Sequence, residues 1–105
     1  MIDNYTVQFT GPAVDDLENI KQYLVSYSLS IYNLFRKEFI EKINLLENHP
    51  KIFEILPVRT SIQYRRFFIK NYAVIYDVDD EKKMITVDRV YHCKEDYLNL
   101  YYQYK

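Results

Sequence analysis

Between residues 63 and 91 the sequence reads as three strands with almost nothing between them. The runs lie at about 63–69, 72–79 and 84–91, separated only by Lys70–Asn71 and by the polar turn "DDEKK" (79–83). Connections this short cannot cross over a sheet, so consecutive strands must be antiparallel neighbours in a meander. In the middle run Tyr72, Val74, Tyr76 and Val78 share one face, and Ala73, Ile75 and Asp77 share the other. Periodicity alone leaves open which face meets the rest of the chain.

The first half of the chain supplies what the sheet needs. "YTVQF" (5–9) alternates as a half-buried strand. Thr10 or Gly11 can then cap a helix, Pro12 suits a first helical position, and Asp15 and Asp16 lie near the positive end of the dipole. Ala13, Leu17, Ile20, Leu24 and Tyr27 make one apolar stripe over 12–28. "SLS" (28–30) interrupts, with Ser30 as the candidate cap of a second helix over about 31–47. Its stripe is Tyr32, Phe35, Phe39, Ile43 and Leu46, and Asn48 and Pro50 stop it. Two helices with so short a joint form a hairpin. Residues 49–61 connect it to the meander, and the tail from Lys94 predicts a short helix with Tyr97, Leu98, Tyr101 and Tyr104 inward. The expected fold is α+β. An antiparallel sheet combines the N-terminal strand with the three-strand meander, the helical hairpin packs on one face, and a short helix closes the chain, all in one domain over 1–105.

Composition narrows the chemistry. The formal charge is −1 and the pI about 6.1, unlike a generic polyanion binder. Cys93 is the only cysteine, which excludes an intramolecular disulfide, and it diverges from its neighbour His92 along a strand. His49 and His92 are the only histidines and there is one glycine, so neither a metal centre nor a phosphate-cradling loop is expected, and no cofactor. No run is long and apolar enough to span a membrane, and the start has no export signal, so a cytoplasmic location is expected.

What remains is charge inside strands. Arg65 and Arg66 stand side by side in "YRRFFIKNYAVIY" and must point to opposite faces. "DRVYH" (88–92) closes the third strand, with Arg89 and Tyr91 on one face and Asp88, Val90 and His92 on the other. Arginines can clamp a phosphate, and a histidine at a strand end can move protons. The same residues can equally brace strands as Arg–Asp pairs.

In order and spacing these pieces resemble the RelE/ParE-type toxins of bacterial type II toxin–antitoxin systems. The resemblance rests on "YTVQFTGPAVDDLENIKQYL", "LLENHP", "YRRFFIKNYAVIYDVDDE" and "DRVYHCKEDY". It implies a β-α-α-β-β-β order and a cognate antitoxin as partner. It also implies one of two activities: inhibition of DNA gyrase, as in ParE-like members, or cleavage of messenger RNA in the ribosome, as in RelE-like members. In the nuclease reading His92, Arg65 and Arg89 are the catalytic candidates. In the binding reading Arg65, Arg66, Arg89, Tyr91, Tyr97 and Tyr101 meet the target or antitoxin. Ala73 stands where the resembled nucleases carry an arginine, and Phe67 where they carry a second lysine, which tilts the expectation towards gyrase. A homologue without toxicity is the third alternative. Arg65 is expected on the open face and Arg66 around the edge or paired with an acid such as Asp88. A free chain with an uncovered apolar groove could also form a homodimer.

Overall fold

A computed structural model describes residues 4–58 and 60–102. Tyr104, expected to point inward, lies outside the described residues. The elements are β1 (Thr6–Phe9), α1 (Gly11–Tyr27), α2 (Leu29–Asn48), β2 (Glu54–Ile55), β3 (Tyr64–Ile69), β4 (Tyr72–Asp79), β5 (Met84–His92) and α3 (Leu98–Tyr102). The sheet order is β1-β5-β4-β3-β2. The α+β fold, the hairpin, the meander and the short closing helix are all as the sequence predicts.

Three details differ. The sheet is mixed, because β1 pairs parallel with β5 while the other pairings are antiparallel. Two meander turns return β5 to the direction of β3, and the helical hairpin with its connector supplies the long crossover that a parallel neighbour requires. The connector also contributes β2, a two-residue strand on the outer edge of β3. Finally, the joint between the helices shrinks to one residue. Ser28 is extended, at φ −169° and ψ 128°, and serves as C-cap of α1 and N-cap of α2, in place of Ser30.

At the start of α1 the expected cap forms. The Thr10 hydroxyl accepts from the Ala13 amide at 3.1 Å and donates to the Asp88 carbonyl at 2.6 Å. One side chain thus closes the helix and ties it to β5.

The sheet divides the core in two. Tyr72, Val74 and Tyr76 face the hairpin, packing with Ala13, Ile20, Phe35, Leu46, Phe67 and Ile69. Ala73 and Ile75 face the opposite way, under Leu56, Tyr91, Tyr97 and Tyr101. Both sides of β4 are therefore buried, which its run of apolar residues allows. Burial of each large side chain contributes about 1.5–3 kcal/mol, so both clusters matter to a chain of this size. Tyr27 falls outside the hairpin core and is exposed. Among the described residues no helix is long and apolar enough to cross a membrane.

Candidate functional site

The site candidates depend on how β5 ends. Its ladder with β1 stops at Phe9–Val87, because β1 is only four residues long. On the other side, β4 pairs Ile75 with Arg89 but Tyr76 with Val87, which leaves Asp88 as an extra residue. This bulge shifts the alternation. Ile85, Val87 and Val90 all face the hairpin, whereas strict alternation would have turned Val90 away from Val87. Asp88 is carried to the other side, where its carboxylate accepts from the Tyr101 hydroxyl at 2.9 Å. The expected sharing of a face by Asp88 and Val90 fails for this reason. Arg89 and Tyr91 do stay together, with the guanidinium 4.9 Å from the Tyr91 ring centroid.

Past Val87 the outer edge of β5 has no strand beside it, and α1 supplies the missing acceptor. Asp16 accepts from the Val90 amide at 2.9 Å and holds Arg89 bidentately, from Nε at 2.7 Å and Nη2 at 3.0 Å. Asp16 thus replaces a strand partner and neutralises the arginine. Its hydrogen bonds to Arg89 push the guanidinium further up from its ordinary range. Sequence reasoning placed Asp16 at the helix dipole and missed this contact. The available signal was position: Asp16 lies three residues after Ala13 and four before Ile20, on the inward stripe.

Around this clasp lies an open cleft of about 290 Å³ lined in part by Asp16, Tyr23, Tyr72, Arg89, His92 and Glu95. The His92 ring meets Tyr72 edge-to-face, centroids 5.2 Å apart. Its Nδ1 accepts from the Lys94 amide at 3.1 Å, which leaves the proton of the neutral ring on Nε2. The Glu95 carboxylate accepts from the His92 amide at 2.9 Å. Burial raises the Tyr72 hydroxyl, and hydrogen bonding to Tyr27 raises that of Tyr23, so both remain neutral donors. The cleft therefore sets one guanidinium against two carboxylates.

The structure brings Arg89, Tyr91 and His92 together but leaves Arg65 and Arg66 elsewhere. Those two do diverge, and Arg66 takes an acid as expected, but Arg65 is tied down on the hairpin side instead of lying on an open face. Arg65 shares the parity of Phe67 and Ile69 and lies on the hairpin side, where Nη1 donates to the carbonyls of Phe53 at 2.8 Å and Lys51 at 3.2 Å. It pins the connector to β3. Arg66 lies on the α3 side, paired with Glu54 at 2.6 Å and donating to the Tyr97 hydroxyl at 3.0 Å. Its acid is Glu54 of β2, not Asp88, because β2 places Glu54 directly opposite Arg66.

The three tyrosines expected as contact residues are packed inward. Tyr91, Tyr97 and Tyr101 are 6%, 6% and 4% exposed. Tyr91 stacks on Tyr97 at 5.3 Å, and Tyr64 meets Tyr101 edge-to-face at 4.9 Å. They hold α3 on the sheet rather than presenting rings to a partner.

Comparison with known proteins adds a family and a set of similar folds. The family model described as ParE toxin of type II toxin-antitoxin system, parDE, matches residues 7–97. The chain is similar to a solved chromosomal ParDE system from P. aeruginosa, with a TM-score of 0.67, 16% identity, and coverage of 88% of this chain and 99% of that one. It is also similar to the archaeal RelE–RelB complex from Pyrococcus horikoshii OT3, at TM-score 0.59 and 22% identity over 88% and 98% of the two chains. The RelBE2 toxin–antitoxin complex from Mycobacterium tuberculosis gives 0.52 and 23% over 85% and 98%. Such identities speak to the fold alone. No curated protein sequence matches significantly.

Proposed function

Because the chain belongs to the ParE toxin family of type II toxin–antitoxin systems, we propose that it arrests growth by binding a protein target, DNA gyrase, rather than by cutting RNA. A cognate antitoxin silences it. The antitoxin part is supported by the similar solved structures, which are themselves complexes of toxins with antitoxins.

The observation that carries the choice of target is the bidentate Asp16–Arg89 pair. Cleavage of a phosphodiester by a neighbouring hydroxyl needs uncommitted positive charge where the transition state gathers negative charge. In the cleft that holds His92, the arginine is neutralised by Asp16 and a second carboxylate, Glu95, lies close by. Arg65 and Arg66 are engaged elsewhere, with backbone carbonyls and with Glu54. Ala73, where the resembled nucleases carry an arginine, is fully buried beneath Leu56, Tyr97 and Tyr101. A longer cationic side chain could not take that place without lifting α3. A surface whose charges are already paired suits a protein partner better than a polyanion.

The test is expression of the chain without antitoxin. Growth should stop, supercoiling by purified gyrase should fall, messenger RNA should stay intact, and His92→Ala should arrest growth as the parent does. Cut messenger RNA that becomes whole again with His92→Ala would establish the ribosome-dependent nuclease instead. Continued growth would mark an inactive homologue.

A further inference from the structure

Tyr72 is more than nine-tenths buried, at 8% exposure, yet among the described residues nothing hydrogen-bonds to its hydroxyl. Burial alone raises that hydroxyl, with no bonded partner adding to the shift or opposing it. Among the described residues every side-chain nitrogen or oxygen sealed from solvent has a partner, so the Tyr72 hydroxyl opens into the cleft that the residue lines. The ring that carries it is held in place. Phe35 meets it edge-to-face at 5.4 Å and His92 at 5.2 Å. A hydroxyl fixed this deep without a protein partner is left for a ligand or solvent to complete.

The rest of the lining selects the ligand. Its charged members are Asp16, Arg89 and Glu95, one carboxylate more than guanidinium. Asp16 is spent on Arg89. Glu95 is not. One of its oxygens accepts from the His92 amide, and among the described residues its carboxylate pairs with no cation. The unspent acceptors are therefore the other Glu95 oxygen and the Tyr72 hydroxyl, with the Tyr23 and Tyr72 rings beside them. A carboxylate next to tyrosine rings is a lining that takes up a cation. The cleft already contains one such arrangement, in which Asp16 grips Arg89 over the Tyr91 ring. At about 290 Å³ the cleft lies at the small end of ligand sites and suits one long side chain rather than a nucleotide.

We propose that this cleft is a pocket for one arginine side chain of a protein partner, whose guanidinium donates to Glu95 and to the Tyr72 hydroxyl. Arginine fits better than lysine because its planar fork of donors can meet two separate acceptors at once, whereas an ammonium is a point charge. The proposal rests on the reading of the chain as a protein binder, but not on gyrase being the target.

Nuclear magnetic resonance on the full chain tests it with N-acetyl-arginine amide as the probe. N-acetyl-citrulline amide, which keeps the shape without the charge, and inorganic phosphate are the comparisons. The arginine probe should shift the amides of Val90, His92 and Glu95 saturably, in the millimolar range. The citrulline probe should bind about fivefold more weakly or worse, and phosphate should leave these amides unmoved. Glu95→Gln should weaken the arginine probe roughly five- to tenfold, the difference between a charge-assisted and a neutral hydrogen bond. Tyr72→Phe should weaken it about threefold, yet keep or raise thermal stability, because only an unpartnered hydroxyl is lost. Glu81→Gln, beyond the other end of the β4–β5 ladder, should change nothing. No saturable shift with the arginine probe, or equal binding to Glu95→Gln and the parent, overturns the proposal. So does phosphate that moves the same amides in place of arginine, since the cleft would then be an anion site. The probe is read without gyrase or antitoxin, so a failed pocket leaves the proposed target standing, and a chain that spares gyrase can still bind the probe.

Discussion

Replacing Asp16 with alanine should unclasp the end of β5 from α1. Three hydrogen bonds disappear, from the Val90 amide and from Nε and Nη2 of Arg89. The two losses differ in weight. The Arg89 side chain is 37% exposed, so water and salt screen its pairing, and its share is about 0.5–1 kcal/mol. The Val90 amide sits on a part-buried edge, and leaving it without an acceptor costs about 1–3 kcal/mol. The sum is about 1.5–4 kcal/mol. For a domain near this size that lowers Tm by about 8–20 °C, at roughly 5 °C per kcal/mol. The assay is thermal unfolding followed by circular dichroism, with Arg89→Met and the double variant completing a cycle. The double variant should lose little beyond Asp16→Ala alone, because the amide carries most of the effect. The same substitution frees a guanidinium in the cleft, so affinity for RNA should rise and its salt dependence should steepen by about one released counterion. A loss of stability under about 0.5 kcal/mol would refute the idea that Asp16 stands in for a strand partner, since an unsatisfied edge amide is worth more than that.

Other consequences follow from the second face of the sheet. Tyr101→Phe removes the hydroxyl that donates to Asp88 and should destabilise by about 1–2 kcal/mol, read in urea as a lower midpoint with faster proteolysis after residue 97. Burial, then the nearby charges of Asp88 and Asp79, raise the carboxyl of Asp77 in the folded chain. A raised carboxyl opposes folding once ionised. Asp77→Asn should therefore be more stable than the parent at pH 7, and the gain should vanish as pH falls through the folded pKa towards the ordinary carboxylate range; a gain that persists at pH 3 would refute this. Asp80 has the opposite sign. Hydrogen bonds from Lys51 and Tyr5 lower its carboxyl, so its contribution is present above the ordinary carboxylate pKa and fades as pH falls through the lowered one, and Lys51→Met should weaken that acid dependence while leaving the share due to Tyr5.

Much of this molecule is local, and local features can be read from a sequence. Period two across "NYAVIYDVD" with turns at Lys70–Asn71 and 79–83 dictates the meander, because chain connectivity permits no other pairing of strands so close together. Apolar spacing through Ala13, Ile20, Phe35 and Leu46 dictates two helices, and Thr10 and Pro12 fix where the first begins. The divergence of Arg65 and Arg66 was equally legible, since adjacent strand residues cannot share a face. Which of them faced the hairpin was not, because parity has no sign until a second element packs on the sheet. The site depended on longer-range events. One extra residue at Asp88 re-aimed the end of β5, and a bulge leaves almost no trace in composition. The brevity of β1 then opened an edge that Asp16, 74 residues away in sequence, came to fill. Such partners are chosen by which backbone groups remain unsatisfied once the elements have docked. That quantity does not exist in the sequence taken one segment at a time; it arises only when the whole sheet has formed.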